Sequence, residues 1–255
     1  MTEVLLFILL FLGGSAFGSF YFTLYLRFTD SRFESVFKIL VSPSSCPFCG
    51  EKISVFFLTP VLGYFFSGGK CGKCGKQISL QYLFSEILSG IVFVLVFSYF
   101  KGNWMFIPVF LVTISSVTLS LVDLKKRIIP DIFIIMVLLF SIPVVLFQPV
   151  PADNLYGFLF MTGVFGAILL LFPGSFGGGD FKYAAVIGLF LGLELSVLAF
   201  EVSVISGAVA GTIYGYATGR GLRAKIPFGP FLAFGLFVSI FYGSRIILMY
   251  HGLFR

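Results

Sequence analysis

The sequence predicts an all-α polytopic membrane protein with about eight transmembrane helices and a small cytoplasmic insertion that binds zinc. Three observations support this class. Hydrophobic residues make up 58% of the 255 residues and charged residues only 11%, whereas soluble domains carry about 25% charge. Apolar segments long enough for membrane helices follow one another along the chain. All four cysteines lie in the one sizeable polar insertion, residues 27–81.

The predicted spans follow from segment length, since a membrane-crossing helix needs about 20 mainly apolar residues. They lie at 4–26, 82–100, 104–122, 128–147, 155–172, 181–193, 195–218 and 226–250. The sixth is the shortest, so it is interpreted as tilted, or as re-entrant and shielded by protein. The first has no basic stretch before it and no small-residue cleavage site after it, which favours a retained span over a signal peptide.

Lysine and arginine are distributed unevenly over the loops. Lys101, Arg245 and Arg255 fall on one side of the predicted membrane, and the other 14 of the 17 basic residues fall on the side of residues 27–81. Because loops rich in basic residues stay in the cytoplasm, the insertion is predicted to be cytoplasmic and both termini to lie outside. Nucleic-acid binding is disfavoured, since no basic run is interleaved with stacking aromatics.

The cysteines form two C-x-x-C pairs, Cys46 with Cys49 and Cys71 with Cys74, with 21 residues between the pairs. This pattern is typical of a tetrahedral site in which four thiolates bind one Zn²⁺. Four protein ligands leave no open coordination position, so the metal is expected to be structural. A redox or disulfide role is less favoured because the predicted compartment is reducing. Iron is the minor alternative, which four cysteines alone do not exclude.

Two acidic residues lie at the ends of predicted spans. Asp123 directly follows the segment 104–122, and Asp180 closes the run of residues 177–180, Gly-Gly-Gly-Asp. An ionisable group in the hydrocarbon costs about 2.5–3.5 kcal/mol on insertion scales, so such groups persist where they are paired or functional. The glycines, Gly177 and Gly179 among them, permit close approach of backbone segments. They could therefore bring the two carboxylates together.

Two carboxylates in contact have a distinctive chemistry, because both cannot ionise and one keeps a proton at neutral pH. The ionised group can deprotonate a water molecule while the protonated group polarises a peptide carbonyl, as in an aspartic protease. Taken alone, Asp123 and Asp131 are more simply explained as boundary acids that pair with residues 125–127, Lys-Lys-Arg. A phosphate-binding loop is excluded, since no Gly-Lys-Ser/Thr follows the glycines.

Several stretches together resemble the bacterial type IV prepilin peptidases, which belong to the Gly-x-Gly-Asp class of aspartic proteases. They are Gly18-Ser19-Phe20 with Arg27, Cys46-Pro47-x-Cys49 with Lys70-Cys71-x-x-Cys74, Ile78-Ser79 to Glu86, Asp123 to Ile129-Pro130-Asp131, Gly177-x-Gly179-Asp180-x-Lys182, and residues 226–232. The resemblance implies cleavage of the basic leader of prepilins and pseudopilins, with Asp123 and Asp180 as the catalytic pair. It also implies N-methylation of the new N-terminus from S-adenosylmethionine.

The resemblance further implies a place in the bacterial cytoplasmic (inner) membrane and a division of the chain. Residues 1–26 would form the first span, 27–81 the four-cysteine insertion linked to methyl transfer, and 82–255 the membrane-embedded protease domain. Gly177, Gly179, Lys182 and Asp131 would support the catalytic loop. One departure concerns the methyltransferase half, because Phe22 stands where the family usually has Asn.

Other polar residues have two interpretations each. Glu86 and Glu201 are candidates for contacts with the methyl donor. Glu86 is otherwise a snorkelling or internally paired carboxylate, and Glu201 a paired buried acid. Lys182 either pairs with Asp180 or only adds to the basic side of the membrane. Acids among the basic loops are candidates for binding a basic leader: Glu34, Glu51, Glu86 and Asp131.

Two rival functions come from other classes. In a proton-coupled secondary transporter, the intramembrane carboxylates would carry protons or bind a cation. Inverted repeats would favour that function, and the sequence contains none that is evident. A zinc-supported assembly scaffold gives no reason for an acid beside three glycines.

Overall fold

The computed structural model describes residues 2–30, 35–147, 150–219, 221 and 226–253. In this part of the chain the regular secondary structure is helical, and strand pairing is limited to two isolated bridges, Ser45 with Lys52 and Lys70 with Gln77. The chain divides into two compact units, Met1–Phe110 and Leu111–Arg255.

Unit 1 holds two long helices with the polar insertion between them. Its elements are α1 (Thr2–Thr29), α2 (Val36–Val41), a 3-10 turn (Val55–Leu58), α3 (Leu62–Phe66) and α4 (Leu80–Tyr99), and α5 (Phe106–Lys126) begins in it. α1 packs along α4, where Gly14 and Gly18 leave no room for a Cβ atom. The Ser89 hydroxyl donates to the Gly14 carbonyl at 2.8 Å. Small residues thus allow close helix packing, as is usual in membranes.

Unit 2 holds the rest of α5 and five further helices. These are α6 (Asp131–Phe147), α7 (Pro151–Leu171), α8 (Gly178–Leu191), α9 (Leu193–Ala217) and α10 (Gly229–Leu253). α8 is central, because it packs against α6, α7, α9 and α10 and most of its side chains after Lys182 are buried. At 14 residues it is about 21 Å long, shorter than the roughly 30 Å hydrocarbon layer. Of the two sequence-based alternatives for this segment, the structure fits the one shielded by protein.

Each of the eight predicted segments corresponds to one long helix. In the described residues, six helices are long and apolar enough to cross a membrane, namely α1, α4, α5, α7, α9 and α10. α6 is apolar but has only 17 residues. The helix of the third segment continues past the predicted span, through Asp123 to Lys126. Lysines in a last helical turn are favourable to the helix dipole, which explains the extension.

Candidate active site and metal centre

Asp123 lies in the last turn of α5 and is 4% exposed. Its Oδ2 atom accepts a hydrogen bond from the backbone N–H of Gly229, the first residue of α10, at 3.0 Å. The first N–H groups of a helix have no partner within it and favour negative charge. A Cβ atom at position 229 would lie 2.8 Å from this same oxygen. The contact therefore depends on glycine.

Asp180 is the third residue of α8, and its carboxylate caps that helix. Its Oδ2 atom accepts the N–H of Gly177, the N-cap residue, at 2.9 Å. The other oxygen, Oδ1, is buried and has no hydrogen-bond partner among the described residues. A buried polar atom without a partner costs about 1–3 kcal/mol. Oδ1 is thus an acceptor suited to a proton, a water molecule or a substrate.

The loop that follows α5 contacts both of the helix starts that bind the two carboxylates. A Cβ atom at Gly179 would lie 2.8 Å from Ile129 Cβ, and one at Gly229 would lie 3.3 Å from Ile129 Cδ1. Ile129 therefore packs against the first turns of both α8 and α10. Asp123 and Asp180 therefore lie at two helix termini that contact the same residue, and their pairing as neighbouring acids stays a prediction.

Gly229 and Ile129 hold this arrangement, and the sequence analysis gave neither of them a role. The available signal was the Pro227-x-Gly229-Pro230 pattern at the start of the last span. Such a pattern marks a turn and a helix start. It does not say which side chain the freed N–H group will meet.

Lys182 pairs with Asp131, at 2.9 and 3.1 Å from its two carboxylate oxygens. The alternative that Lys182 pairs with Asp180 is therefore wrong. Asp131 begins α6 and Lys182 lies near the start of α8, and these two helices pack together. Both side chains are more than half exposed, so the pair is worth at most about 1 kcal/mol.

The four cysteine Sγ atoms all lie within 4.8 Å of one another. Cys46 and Cys74 are 3.8 Å apart, as are Cys49 and Cys71. Four thiolates placed tetrahedrally at about 2.3 Å from Zn²⁺ have sulfur atoms about 3.8 Å apart. A disulfide needs about 2.05 Å, and the four cysteines are free. The cluster therefore has the dimensions of a four-thiolate zinc site.

Each cysteine pair sits in the same kind of turn. The N–H of Cys46 donates to Glu51 O and that of Gly50 to Cys46 O, both at 2.9 Å, and the second pair repeats this arrangement. Gly50 and Gly75 have φ of 71° and 68°, which glycine adopts without strain. Backbone N–H groups of Cys74 and Lys73 lower the pKa of Cys71 to about 6. Such turns favour the thiolate form that metals bind.

Side chains brace the two turns against each other. Lys73 of the second turn forms an ion pair with Glu51 beside the first. The ammonium group of Lys76 lies 4.3 Å from the centre of the Phe48 ring, a distance typical of cation–π attraction. The two turns therefore form one unit even at its exposed surface.

Glu86 fastens the insertion to α4. Its carboxylate is 8% exposed, and Oε2 accepts the N–H of Val61 at 2.7 Å. Val61 has φ of 62°, an uncommon conformation for a β-branched residue. The internally paired interpretation of Glu86 is therefore confirmed over the snorkelling one.

The acids proposed for a basic leader are already in use. Glu51 pairs with Lys73, Glu86 accepts from Val61 and Asp131 pairs with Lys182. Glu34 lies outside the described residues. The role of these acids in binding a basic leader stays a prediction. Glu201 is exposed on α9, so its interpretation as a buried paired acid is wrong.

Basic residues lie at the same helix ends as the aspartates. Lys125, Lys126 and Arg127 follow Asp123, and Lys182 follows Asp180. Five further basic residues used to predict the orientation lie outside the described residues: Arg32, Arg220, Arg223, Lys225 and Arg255.

Comparison with known proteins gives matches over most of the chain. Residues 12–100 match the family model "Bacterial Peptidase A24 N-terminal domain", and residues 110–212 match "Type IV leader peptidase family". A relative from Bacillus subtilis is 32% identical over 251 residues, which cover 95% of this chain and 96% of the relative. Relatives from Dichelobacter nodosus and Pseudomonas aeruginosa are 28% and 27% identical, covering 82% and 85% of this chain and 74% and 77% of theirs.

All three relatives carry the name prepilin leader peptidase/N-methyltransferase. Neither matched family nor any of these relatives is a transporter, so the transporter alternative has no support. No solved structure matches the chain at a significant level.

Proposed function

Because the chain belongs to the bacterial type IV leader peptidase family, we propose that it cleaves prepilin leaders with Asp123 and Asp180 as its catalytic pair. One observation carries the proposal. Two acids 57 positions apart in sequence each accept one backbone N–H group at the start of a helix, Asp180 at α8 and Asp123 at α10, and Ile129 packs against both helix starts. A purely structural acid would be expected to pair with a nearby cation. Lys182, the cation nearest to Asp180 in sequence, pairs with Asp131 instead.

The chemistry follows from the repulsion between the two carboxylates. In the proposed dyad the two acids share one proton at neutral pH, because two carboxylates in contact cannot both ionise. The ionised carboxylate removes a proton from water, and the protonated one donates to the carbonyl oxygen of the scissile peptide as the tetrahedral intermediate forms. Gly229 and Gly177 fix one oxygen of each acid. Asp180 Oδ1, which has no hydrogen-bond partner among the described residues, is left for the reaction.

A membrane-embedded pilin precursor with its leader tests the proposal. Asp123→Asn and Asp180→Asn should each abolish cleavage while the protein keeps its helix content and thermal transition, because the chemistry needs one acid and one base. The matched control is Asp153→Asn. Asp153 caps the start of α9, where its Oδ1 accepts the N–H of Leu193 at 3.3 Å. Cleavage at the wild-type rate by either dyad variant would refute the assignment.

Orientation is part of the same proposal. The basic residues beside both aspartates support a cytoplasmic location for the dyad and for the four-cysteine insertion. The leader of a membrane-anchored prepilin would then be cut at the cytoplasmic face of the inner membrane. Cysteine labelling at Ser35 and at Lys101, each introduced as Cys into a cysteine-free variant, would test this. A membrane-impermeant reagent applied to intact cells should reach position 101 and not position 35.

The cysteine cluster is proposed to hold one structural Zn²⁺. Its sulfur spacing fits the metal, and its four thiolates leave no position for a catalytic water. The metal would then serve folding of the insertion, and cleavage in unit 2 would not pass through it.

The methyltransferase half is proposed to take S-adenosylmethionine, which supplies the methyl group. A cavity of about 280 Å³ in unit 1 lies between α1, α2 and the 3-10 turn. Ser19, Thr23, Ser42 and Ser44 line it with hydroxyl groups suited to a ribose, and the Arg27 guanidinium suits a carboxylate. Neither Glu86 nor Glu201 lines this cavity. Phe22 does not line this cavity either, and its ring packs edge-on against that of Tyr82, with 5.0 Å between the ring centres.

Equilibrium binding of radiolabelled S-adenosylmethionine tests this placement. Arg27→Gln should weaken binding, while the control Lys38→Gln, at an exposed position of α2, should not. Equal affinity of both variants would place the donor elsewhere.

A further inference from the structure

A groove in unit 2 begins one helical turn before Asp123 along α5. It has a volume of about 250 Å³ and is lined almost entirely by apolar surface of residues 113–121 on α5 and 230–237 on α10. Ser120, one of its lining residues, lies three positions before Asp123, and helix residues three apart share a face. Pro230, another, follows the glycine that binds Asp123. The groove therefore begins within one helical turn of Asp123.

The groove also has a suitable length. The eight positions from Thr113 to Leu121 on α5 correspond to about 12 Å along the helix, a little under half of the roughly 30 Å hydrocarbon layer. The groove is therefore long enough to hold about two turns of an apolar helix.

Its walls suit an apolar helix. Val117 and Phe234 are 49% and 50% exposed at the groove, whereas Ser116 and Leu236 are nearly buried. The Ser120 hydroxyl donates to the carbonyl of Ser116 on its own helix at 2.7 Å. The Ser120 hydroxyl therefore needs no polar partner from a molecule bound in the groove. In a membrane, helices associate by close packing against such surfaces.

Resting on the proposed function, we infer that this groove binds the apolar helix of the substrate, beginning with the residues just after the scissile bond. A substrate cut at Asp123 and Asp180 must pass its next residues along a surface that continues from them. The groove is such a surface, and it extends for about eight residues of helix. A lipid acyl chain is also apolar, but the position of the groove beside Asp123 favours the substrate as its occupant. The groove thus sets the register in which the leader is cut.

Filling the groove tests the inference. Ala233 is a partly exposed lining residue, and Ala233→Phe should raise KM for the full-length, membrane-embedded precursor roughly tenfold by overpacking. Cleavage of a soluble peptide that ends a few residues after the scissile bond should stay at the wild-type rate. Ala208→Phe, at an exposed position of α9 outside the groove, is the matched control. Wild-type KM for Ala233→Phe would overturn the inference.

Cross-linking gives a measurement that does not depend on the fold tolerating a larger side chain at position 233. A photo-reactive amino acid at Val117 should capture the apolar segment of the precursor, while one at Ile205, 64% exposed on α9, should not. Capture of lipid alone at position 117, or equal capture of precursor at both positions, would contradict the inference. Failure of the wild-type enzyme to cleave the precursor at all would instead refute the proposed function.

Discussion

Gly229→Ala should slow cleavage while leaving the fold intact. The new Cβ atom would lie 2.8 Å from Asp123 Oδ2, whereas ordinary contacts begin at 3.4 Å, so the carboxylate must move by about 0.6 Å. The misplaced atom is the end of a side chain, so the helices need not shift. A displacement of about 1 Å at a reacting group can cost 10²-fold. We therefore expect kcat to fall roughly 10- to 30-fold, equivalent to about 1.4–2 kcal/mol of barrier.

The assay is cleavage of a membrane-embedded precursor at several substrate concentrations, with the thermal transition measured on the same samples. KM should stay close to the wild-type value, because Gly229 is not among the residues that line the groove. Gly163→Ala is the matched control, since a Cβ atom at this position of α7 would meet nothing within 4 Å. If Gly229→Ala cleaves as fast as Gly163→Ala, Asp123 is not held in a catalytically demanding position, and the reasoning fails.

Three other predictions concern unit 1 and the periphery of the dyad. Freshly purified protein should contain one zinc per chain by elemental analysis. The variant Cys71→Ser should lose the zinc, and its residues 40–80 should become accessible to proteases. Metal-free protein in which the insertion is still protected from proteases would contradict the zinc site. Glu86→Leu should leave the Val61 N–H without its acceptor, which lowers the free energy of unfolding by about 1–3 kcal/mol. Amide hydrogen exchange should then become faster around Val61. Glu86→Gln, which keeps an acceptor, is the control. Lys182→Gln should change the cleavage rate less than about threefold, because its exposed pair with Asp131 is weak, and a loss comparable with that of Asp180→Asn would show a direct catalytic role.

The membrane class, the order of the helices and the clustering of the four cysteines could be predicted because each depends on local sequence patterns. Hydrophobic length gives the helices, and the spacing of Cys46, Cys49, Cys71 and Cys74 gives a site within one insertion. The contact between Asp123 and Gly229 could not be predicted, because 106 positions separate the partners and only the tertiary fold brings the end of α5 to the start of α10. The same holds for Lys182, whose partner was chosen by the packing of α6 on α8.

The position of Gly229 so late in the chain has a consequence for biosynthesis. Ribosomes deliver α5 and α8, with both aspartates, to the membrane before α10 has been made. Until α10 is inserted, Asp123 lacks the N–H group that orients it and the groove lacks one wall. A nascent or C-terminally truncated chain should therefore be unable to cleave a precursor, and the protease should become active only when α10 has packed against the rest of unit 2.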